Sequence, residues 1–359
     1  MSLGRLWTIA RLELLQRVRT VSWYVLLGVF ALLLVGATFL AFLSFGGQEQ
    51  TGPGVYSTVV YITLLLAILV SPTLSGNSIN GDRDAATLAP VQVTLATTGE
   101  ILLGKFVASW ITGLAFAVVA APFLVIATLA GGVHPATVAV SLVVLVVEIG
   151  VIAAIGVALS GILARPLFSV ATTYLVVAAL AIGTVIGFGL VGSSMVTEVT
   201  VSERSAVYDE NGPVCKDGST ECWDDPENIV CEDWTTYTQP VMRFDRVWWM
   251  LAANPFVILA DATPTQLDRD GNPEDVFGYL KIGVRQTQIP PDTESVGWDE
   301  CSPMEAGDYR TPQEILDQTV PSWFVGLGVQ LLLAVGLLGW AFARTRTPAR
   351  ALPPGTRIA

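Results

Sequence analysis

The chain has 359 residues, 52% of them hydrophobic and 14% charged, with a mean hydropathy of +0.59. That excludes an ordinary soluble globular domain. The net charge of −12 is unevenly placed: residues 197–320 hold 25 of the 31 acidic and 8 of the 19 basic residues, a net of −17 that leaves the remainder at +5. The sequence therefore describes two chemically distinct regions, a weakly basic apolar part and an acidic part.

Residues 3–20, LGRLWTIARLELLQRVRT, place Leu3, Leu6, Trp7, Ala10, Leu14 and Val18 at helical spacing, with Arg5, Arg11, Arg17 and Arg19 on other faces or at the ends. The pattern predicts an amphipathic interfacial helix, Trp7 at headgroup level and arginines toward anionic lipid. An alternative is that it merely anchors the amino terminus. A bilayer needs about 20 apolar residues per helical span, and six stretches meet that length: 22–45, 55–75, 106–130, 136–163, 167–195 and 321–343. The expected fold is an α-helical integral membrane protein. It comprises an elbow helix (1–20), spans one to five (21–196), an extracellular domain (197–320), span six (321–343) and a tail (344–359).

Between the second and third spans lies 77–104, a polar segment carrying Gly and Thr. Pro72 and Pro122 fall inside the second and third spans, where proline removes a helical hydrogen bond and kinks the backbone. Glu148, within VVLVVEIGVIA, is the one carboxylate deep inside a span. A carboxyl there is costly and must face a partner, a cavity or another subunit. It is a candidate intramembrane functional acid (proton coupling, substrate binding or gating), or else a protonated or hydrogen-bonded helix contact. Small residues recur in the spans, Gly150, Gly156, Gly183, Gly187, Gly326, Gly328, Gly336 and Gly339 among them, and small residues let helix backbones approach closely in lipid.

All four cysteines, Cys215, Cys222, Cys231 and Cys301, lie in 197–320. An even number there predicts two disulfides, with three possible pairings. No Cys-x2-Cys pair exists and the single histidine, His134, lies in another loop, so no metal site is expected. Val247–Ala260, VWWMLAANPFVILA, is too short to cross a bilayer and carries an Asn-Pro break. It reads as a re-entrant or interfacial helical hairpin, or equally as a buried element of the external fold.

Two motifs fail on inspection. Gly99 to Gly104-Lys105 imitates the start of a phosphate-binding loop. Phe106 stands where Ser or Thr must hold magnesium, and the segment runs into an apolar helix. The acidic run from Asp268 has Pro273 and Tyr279 where a calcium-binding EF-hand loop requires Gly and Glu. With one histidine, no HExxH and no CxxC, nothing advertises catalysis, and the chain is expected not to be an enzyme.

Lys and Arg placement orients the spans. Arg5, Arg11, Arg17 and Arg19 precede the first span, Arg83, Lys105 and Arg165 lie in the second and fourth connections, and Arg344, Arg346, Arg350 and Arg357 follow the last. The first and third connections carry none, which predicts a multi-pass protein with both termini cytoplasmic.

The order of these features resembles the ABC-two class of ABC-type permeases, the transmembrane subunits of type V exporters. The likeness rests on the elbow at 3–20, on Gly81-Asp82-Arg83-Asp84-Ala-Ala-Thr87-Leu88 after the second span, and on Gly99-Glu100-Ile-Leu-Leu-Gly104-Lys105 leading into the third. In that family such a loop, with a closing Gly-Lys, forms the coupling helix that contacts the ATPase. The resemblance implies that role for Asp82, Arg83, Asp84, Thr87, Leu88, Glu100 and Lys105. Ala86 stands where members often have Gly. The insert between spans five and six resembles in position the external domain of eukaryotic drug and lipid exporters, and the 248–264 stretch is similar to permeases of high-GC Gram-positive bacteria. The resemblance also implies a plasma-membrane location and cytoplasmic ABC ATPase subunits, two of them, as partners. A second permease copy or a homologous permease, membrane lipids and no nucleic acid complete that set. This chain itself would bind no cofactor, with ATP and Mg on the partner ATPase. The competing readings are a membrane-anchored receptor with an acidic extracellular ligand domain and, more remotely, a membrane enzyme.

Overall fold

A computed structural model describes residues 2–47, 49–84, 96–210, 212–218, 222, 228–292, 294–301 and 310–345. Thr87 and Leu88 of the proposed coupling segment, and the tail beyond 345, lie outside the described residues. The chain divides into two compact units, Met1–Val185 with Leu251–Lys281 and Pro321–Ala359, and Ile186–Met250 with Ile282–Val320.

The first unit is helical. Its elements are α1 (Leu3–Val18), α2 (Val21–Phe45), α3 (Thr51–Ser75), the short α4 (Asn80–Asp84), α5 (Thr98–Leu129), α6 (Pro135–Ile162) and α7 (Pro166–Ala178). A five-residue π-helical turn, Ala179–Gly183, joins α7 to α8 (Thr184–Ser194). Then come α9 (Trp249–Ala252), α10 (Pro255–Ala262), α11 (Val276–Gln286) and, after the second unit's last segment, α13 (Trp323–Thr345). Among the described residues, six helices are long and apolar enough to cross a membrane: α2, α3 continued to Asp84, α5, α6, the run α7–α8, and α13. Each coincides with one of the six apolar stretches read from the sequence, the pattern of a multi-pass membrane protein.

Burial ranks these helices. Helix α2 buries Trp23, Phe30, Leu34, Thr38 and Ala41 and leaves Leu32, Leu40 and Leu43 exposed, as a helix apolar all round does when one side faces lipid. Trp23 and Phe30 close on Phe116 of α5, with ring centroids 5.5 and 4.9 Å apart. Helix α6 is the opposite case, because every residue from Glu148 to Ile162 is buried. Small side chains make that possible. A β-carbon on Gly156 would lie 1.9 Å from Ser75 Oγ, and one on Gly161 would lie 3.0 Å from Ala341 Cβ.

The segment 251–281, read from the sequence as part of an external domain, belongs instead with the spans. Its apolar side chains explain the difference: Val257, Ile258, Leu259 and Ala260 are buried, and α10 packs on α6, α13 and the π turn. The Asn-Pro break is where expected, between α9 and α10. Asn254 caps α10 by accepting from Phe256 N, and its Nδ2 donates to Ala181 O at 2.7 Å and to Thr184 Oγ1 at 2.9 Å. Ala181 lies near the middle of the 166–194 helix. A π turn misaligns the backbone ladder, and Asn254 donates to a carbonyl within it. A broken helix is tolerated at that depth only where protein supplies its partners. The segment from Leu251 thus packs with the spans and not within the acidic fold.

The second unit holds a three-stranded sheet in the order β4-β1-β5. Strand β1 (Val196–Arg204) runs antiparallel to β4 (Thr235–Met242) and parallel to β5 (Glu294–Asp299). A small hairpin, β2 (Tyr208–Asp209) with β3 (Gly212–Pro213), helix α12 (Pro312–Gln318), α8 from Ile186 onward and the end of α11 from Ile282 also belong to this unit. Of the three pairings the cysteines allowed, the structure has Cys215–Cys222 and Cys231–Cys301. At the end of the parallel pair, Arg204 makes a bidentate bond to Asp299, at 3.0 and 2.9 Å, and stacks on Trp234 with its guanidinium 4.7 Å from the ring centroid.

Two outcomes follow from this packing. A β-carbon on Gly326 of α13 would lie 1.7 Å from Ala252 O, whereas Gly336 has open space. Gly326→Ala should therefore cost about 1–3 kcal/mol of stability and Gly336→Ala none, read as melting temperatures in detergent. The two disulfides close loops of very different length, with sequence separations of 70 and 7. Loop entropy assigns Cys231–Cys301 about 4 kcal/mol and Cys215–Cys222 about 2. Denaturation of the two double-alanine variants, followed by tryptophan fluorescence, should rank them in that order.

Candidate functional site at the base of the amino-terminal helix

The residues singled out by the sequence fall on three elements, α1, α4 and the first turns of α5. Helix α5 begins with a capping box. Thr97 Oγ1 accepts from Glu100 N, and the Glu100 carboxylate accepts from Thr97 N at 2.8 Å. The same carboxylate accepts from the backbone N of Ser2 and from Arg5, whose Nη2 lies 3.0 Å away. Glu100 is fully buried. It holds the start of α1 onto the start of α5.

Two turns further along α1, Glu13 does the same from the other side. Lys105 of α5, only 5% exposed at its side chain, donates to Glu13 Oε2 at 3.0 Å and reaches Asp82 Oδ2 of α4 at 2.7 Å. One ammonium thus joins three helices. Arg17 continues the seam, its Nη2 donating to Leu74 O at 2.7 Å and to Ser109 Oγ at 3.3 Å. Burial lowers the Arg17 pKa from its ordinary value, and neighbouring Glu13 opposes that shift. A buried ion pair is favourable only where its remaining hydrogen-bonding capacity is met, and Glu100, with four donors on two oxygens, meets that condition.

Helix α4 is fixed to α6 as well. Ser160 Oγ accepts from Ile79 N at 2.8 Å and from Asn80 N at 3.2 Å, and donates to Asn80 Oδ1 at 3.0 Å. Gly104 makes the approach of α1 possible, since a β-carbon there would meet Ile9 at 2.9 Å. The residues named for ATPase contact therefore separate into two groups. Glu100 and Lys105 are engaged inside the protein and part-exposed Asp82 is held by Lys105, whereas Arg83 is half-buried and Asp84 exposed at the end of α4.

Sequence reasoning did not single out Glu13, Thr97, Asn80 or Ser160. Two of these carried a signal. Glu13 is the single acid among the arginines of α1, four residues before Arg17, and Thr97-x-x-Glu100 before an apolar run is a capping-box signature. Asn80 and Ser160 lie 80 residues apart and carried none.

The other candidates lie apart from this seam. Glu148 sits on α6, fully buried with neither carboxylate oxygen bonded. The acidic run at 268 folds as a tight turn in which Asp268 Oδ1 accepts from Asp270 N and Asn272 N, with Gly271 at φ +81°. Among the described residues no group of three or more metal-ligating side chains comes together.

Lys105→Met should remove the ammonium between Glu13 and Asp82 and leave Glu13 only its longer contact with Arg17, at 3.5 Å. Allowing for the partial exposure of Asp82, the expected loss is about 1–3 kcal/mol, against less than about 0.5 for Asp84→Asn at the surface. Thermal melts in detergent compare the two.

A scan against protein-family models finds no match to this chain, and a search of the curated proteins finds none either.

Proposed function

We propose that this chain is the transmembrane permease subunit of an ATP-driven ABC exporter, seated in the plasma membrane with both termini cytoplasmic. A separate ATPase pair hydrolyses ATP, and a second permease copy or a homologous permease completes the translocation path. The observation that carries the reading is the ion-paired seam of Arg5–Glu100 and Glu13–Lys105–Asp82, which joins an amphipathic amino-terminal helix to the segment between the second and third spans. A motor pressing on that segment would move α1, α4 and the base of α5 as one piece. Force applied there reaches the spans without being lost in a loose loop.

In this reading Arg83 and Asp84 are the residues of the seam that face outward to a partner, and Glu100, Lys105 and Asp82 stiffen the lever behind them. Coupling requires that nucleotide stabilise the two arrangements of the spans differently. The Lys and Arg distribution supports the orientation. The failed phosphate-loop motif at 99–106 supports placing hydrolysis on another polypeptide.

The receptor reading draws on a different feature. The second unit has an open cleft of about 340 Å3 lined in part by Met242, Phe244, Asp245, Ile289, Pro290 and Arg310. Purification of the tagged chain from its native membrane separates the two. An exporter brings down a soluble ATPase in stoichiometric amount, and a receptor does not. Arg83→Glu should weaken that association at least about tenfold by placing like charge at a steering contact, with membrane insertion unchanged. Full retention of the ATPase by Arg83→Glu removes the docking role from α4. A tag between 85 and 95 reachable from outside intact cells overturns the orientation and the reading with it.

A further inference from the structure

The four arginines at α1 are divided by their partners. Arg5 is engaged with Glu100, and Arg17 with Glu13, Leu74 O and Ser109. Among the described residues the ion pairs of α1 are Arg5–Glu100, Arg17–Glu13 and Lys105–Glu13, so none takes up Arg11 or Arg19. Both of these are exposed. Glu13, the one acid of α1, is turned toward Lys105 and Arg17, which leaves the outer face of the helix with positive charge alone.

That outer face is also apolar. Trp7, Arg11, Leu15 and Val18 follow one another at intervals of four, four and three residues, one stripe of a helix, with Leu12 and Arg19 beside it. Trp7, Leu12, Leu15 and Val18 are between 43% and 56% exposed, so the protein's own packing covers only part of each. The opposite face is closed, with Ala10 buried and Ile9 set against Gly104 of α5.

Position names what covers this face. Only Arg19 and Thr20 separate α1 from α2, the first of the six long apolar helices, whose opening turns leave Val21, Tyr24 and Val25 exposed. The outer face of α1 therefore continues into a lipid-facing surface within two residues. Other cations gather at the same end of the bundle. Gly161, near the end of α6, faces both Ile79 beside α4 and Thr345, the last residue of α13. There Arg165 and Arg344 are exposed as well. Arg165 lies over the Phe168 ring, 6.0 Å from its centroid, beside exposed Leu167, and Trp340 is exposed one turn before Arg344. Each guanidinium stands next to exposed apolar side chains, as a long cation does when its stem lies in an apolar layer and its head at the boundary. At the opposite end of the bundle, exposed Arg269 is paired with Glu49 instead.

We propose that the outer face of α1 is a docking surface for anionic phospholipid headgroups, read by Arg11 and Arg19 and not by Arg5 or Arg17. The two guanidiniums are eight residues apart, about 12 Å by helical rise, and take separate phosphates. Trp7, Leu12, Leu15 and Val18 lie in the acyl boundary beside them. Because Glu100 and Lys105 bind the inner face of the same helix, bound lipid stabilises the seam from outside. The inference rests on the apolar spans and does not require the exporter reading, so the chain without any ATPase tests it.

All four native cysteines are in disulfides, so Thr8→Cys places a single fluorophore on the exposed face of α1 in the full chain. The labelled protein is reconstituted in phosphatidylcholine nanodiscs holding a minor fraction of nitroxide-labelled phosphatidylglycerol or nitroxide-labelled phosphatidylcholine. Quenching should favour phosphatidylglycerol. Arg11→Gln or Arg19→Gln should each lower that preference about fivefold, and the pair about thirtyfold, the worth of one basic residue at an anionic surface taken once and twice. Raising salt from about 0.1 to about 1 M should remove most of it, because the screening length falls from about 10 to about 3 Å. Arg11→Lys with Arg19→Lys should keep the preference, which separates charge from a change in fold. Equal quenching by the two lipids in the otherwise unaltered chain overturns the proposal, and so does a preference that survives the double glutamine change. A fluorophore that neither lipid quenches shows a face covered by protein and overturns it too. An equal loss on Arg344→Gln removes the assignment to α1.

Discussion

Enclosing one helix on all sides in a helical bundle requires that its neighbours come closer than ordinary side chains permit. In α6 the requirement is met from Glu148 to Ile162, where Gly150, Ala153, Ala154, Gly156, Ala158 and Gly161 alternate with Val, Ile and Leu. Those small residues admit Ser75 of α3, Trp110 of α5 and Ala341 of α13 against one backbone. Between helices in lipid the contact surface, rather than exclusion of water, supplies the attraction. Close approach is therefore the stabilising term itself, and much of the arrangement rests on it. The seat of α4 on Ser160, the parallel run of α13 and the burial of Glu148 all require α6 at the centre.

Three polar side chains in this interior share one role, in which a break in the backbone is matched by a side chain from elsewhere. The π turn at Ala179–Gly183 is met by Asn254, the Asn254 break is met by Gln330, and the start of α13 is met by Asp261, which accepts from Ser322 N and Trp323 N. Each is a local cost of irregular backbone offset by one amide or carboxylate. Glu148 differs from these three, a buried carboxyl with no broken backbone to serve. That difference is what separates a functional candidate from a structural one here.

Legibility in the sequence divides along the same physical line. The six spans were legible because bilayer thickness imposes a length, and any apolar run of that length announces itself. The break at Asn254 was legible from Asn-Pro, but where 247–260 packs was not, because the same apolar run suits a protein core and a membrane interior equally. Four cysteines announced two disulfides without their pairing, which depends on how β1 and β5 come together across some 95 residues. The charges at 82–105 stood out by composition. Sequence could not tell that Glu100 and Lys105 face inward, because their partners Arg5 and Glu13 lie over 90 residues away on α1. Thr87 and Leu88, in the same segment, lie outside the described residues.

The basal seam constrains how such a bundle can move. Helix α1 is bonded to α5 near both its ends, through Arg5–Glu100 and Glu13–Lys105, and α4 is bonded to α5 through Asp82 and to α6 through Ser160. Rotation of α1 about α5 would break two charge-assisted contacts whose α5 partners, Glu100 and Lys105, are buried, and such contacts are roughly twice as strong as neutral ones. Relative displacement is cheaper where helices meet through apolar or small surfaces, or where the helical ladder is already interrupted. Pro72 and Pro122 interrupt α3 and α5, and the π turn interrupts the fifth span between α7 and α8. A force entering at α4 would therefore carry the base of the bundle as a block and bend the spans above it at those interruptions.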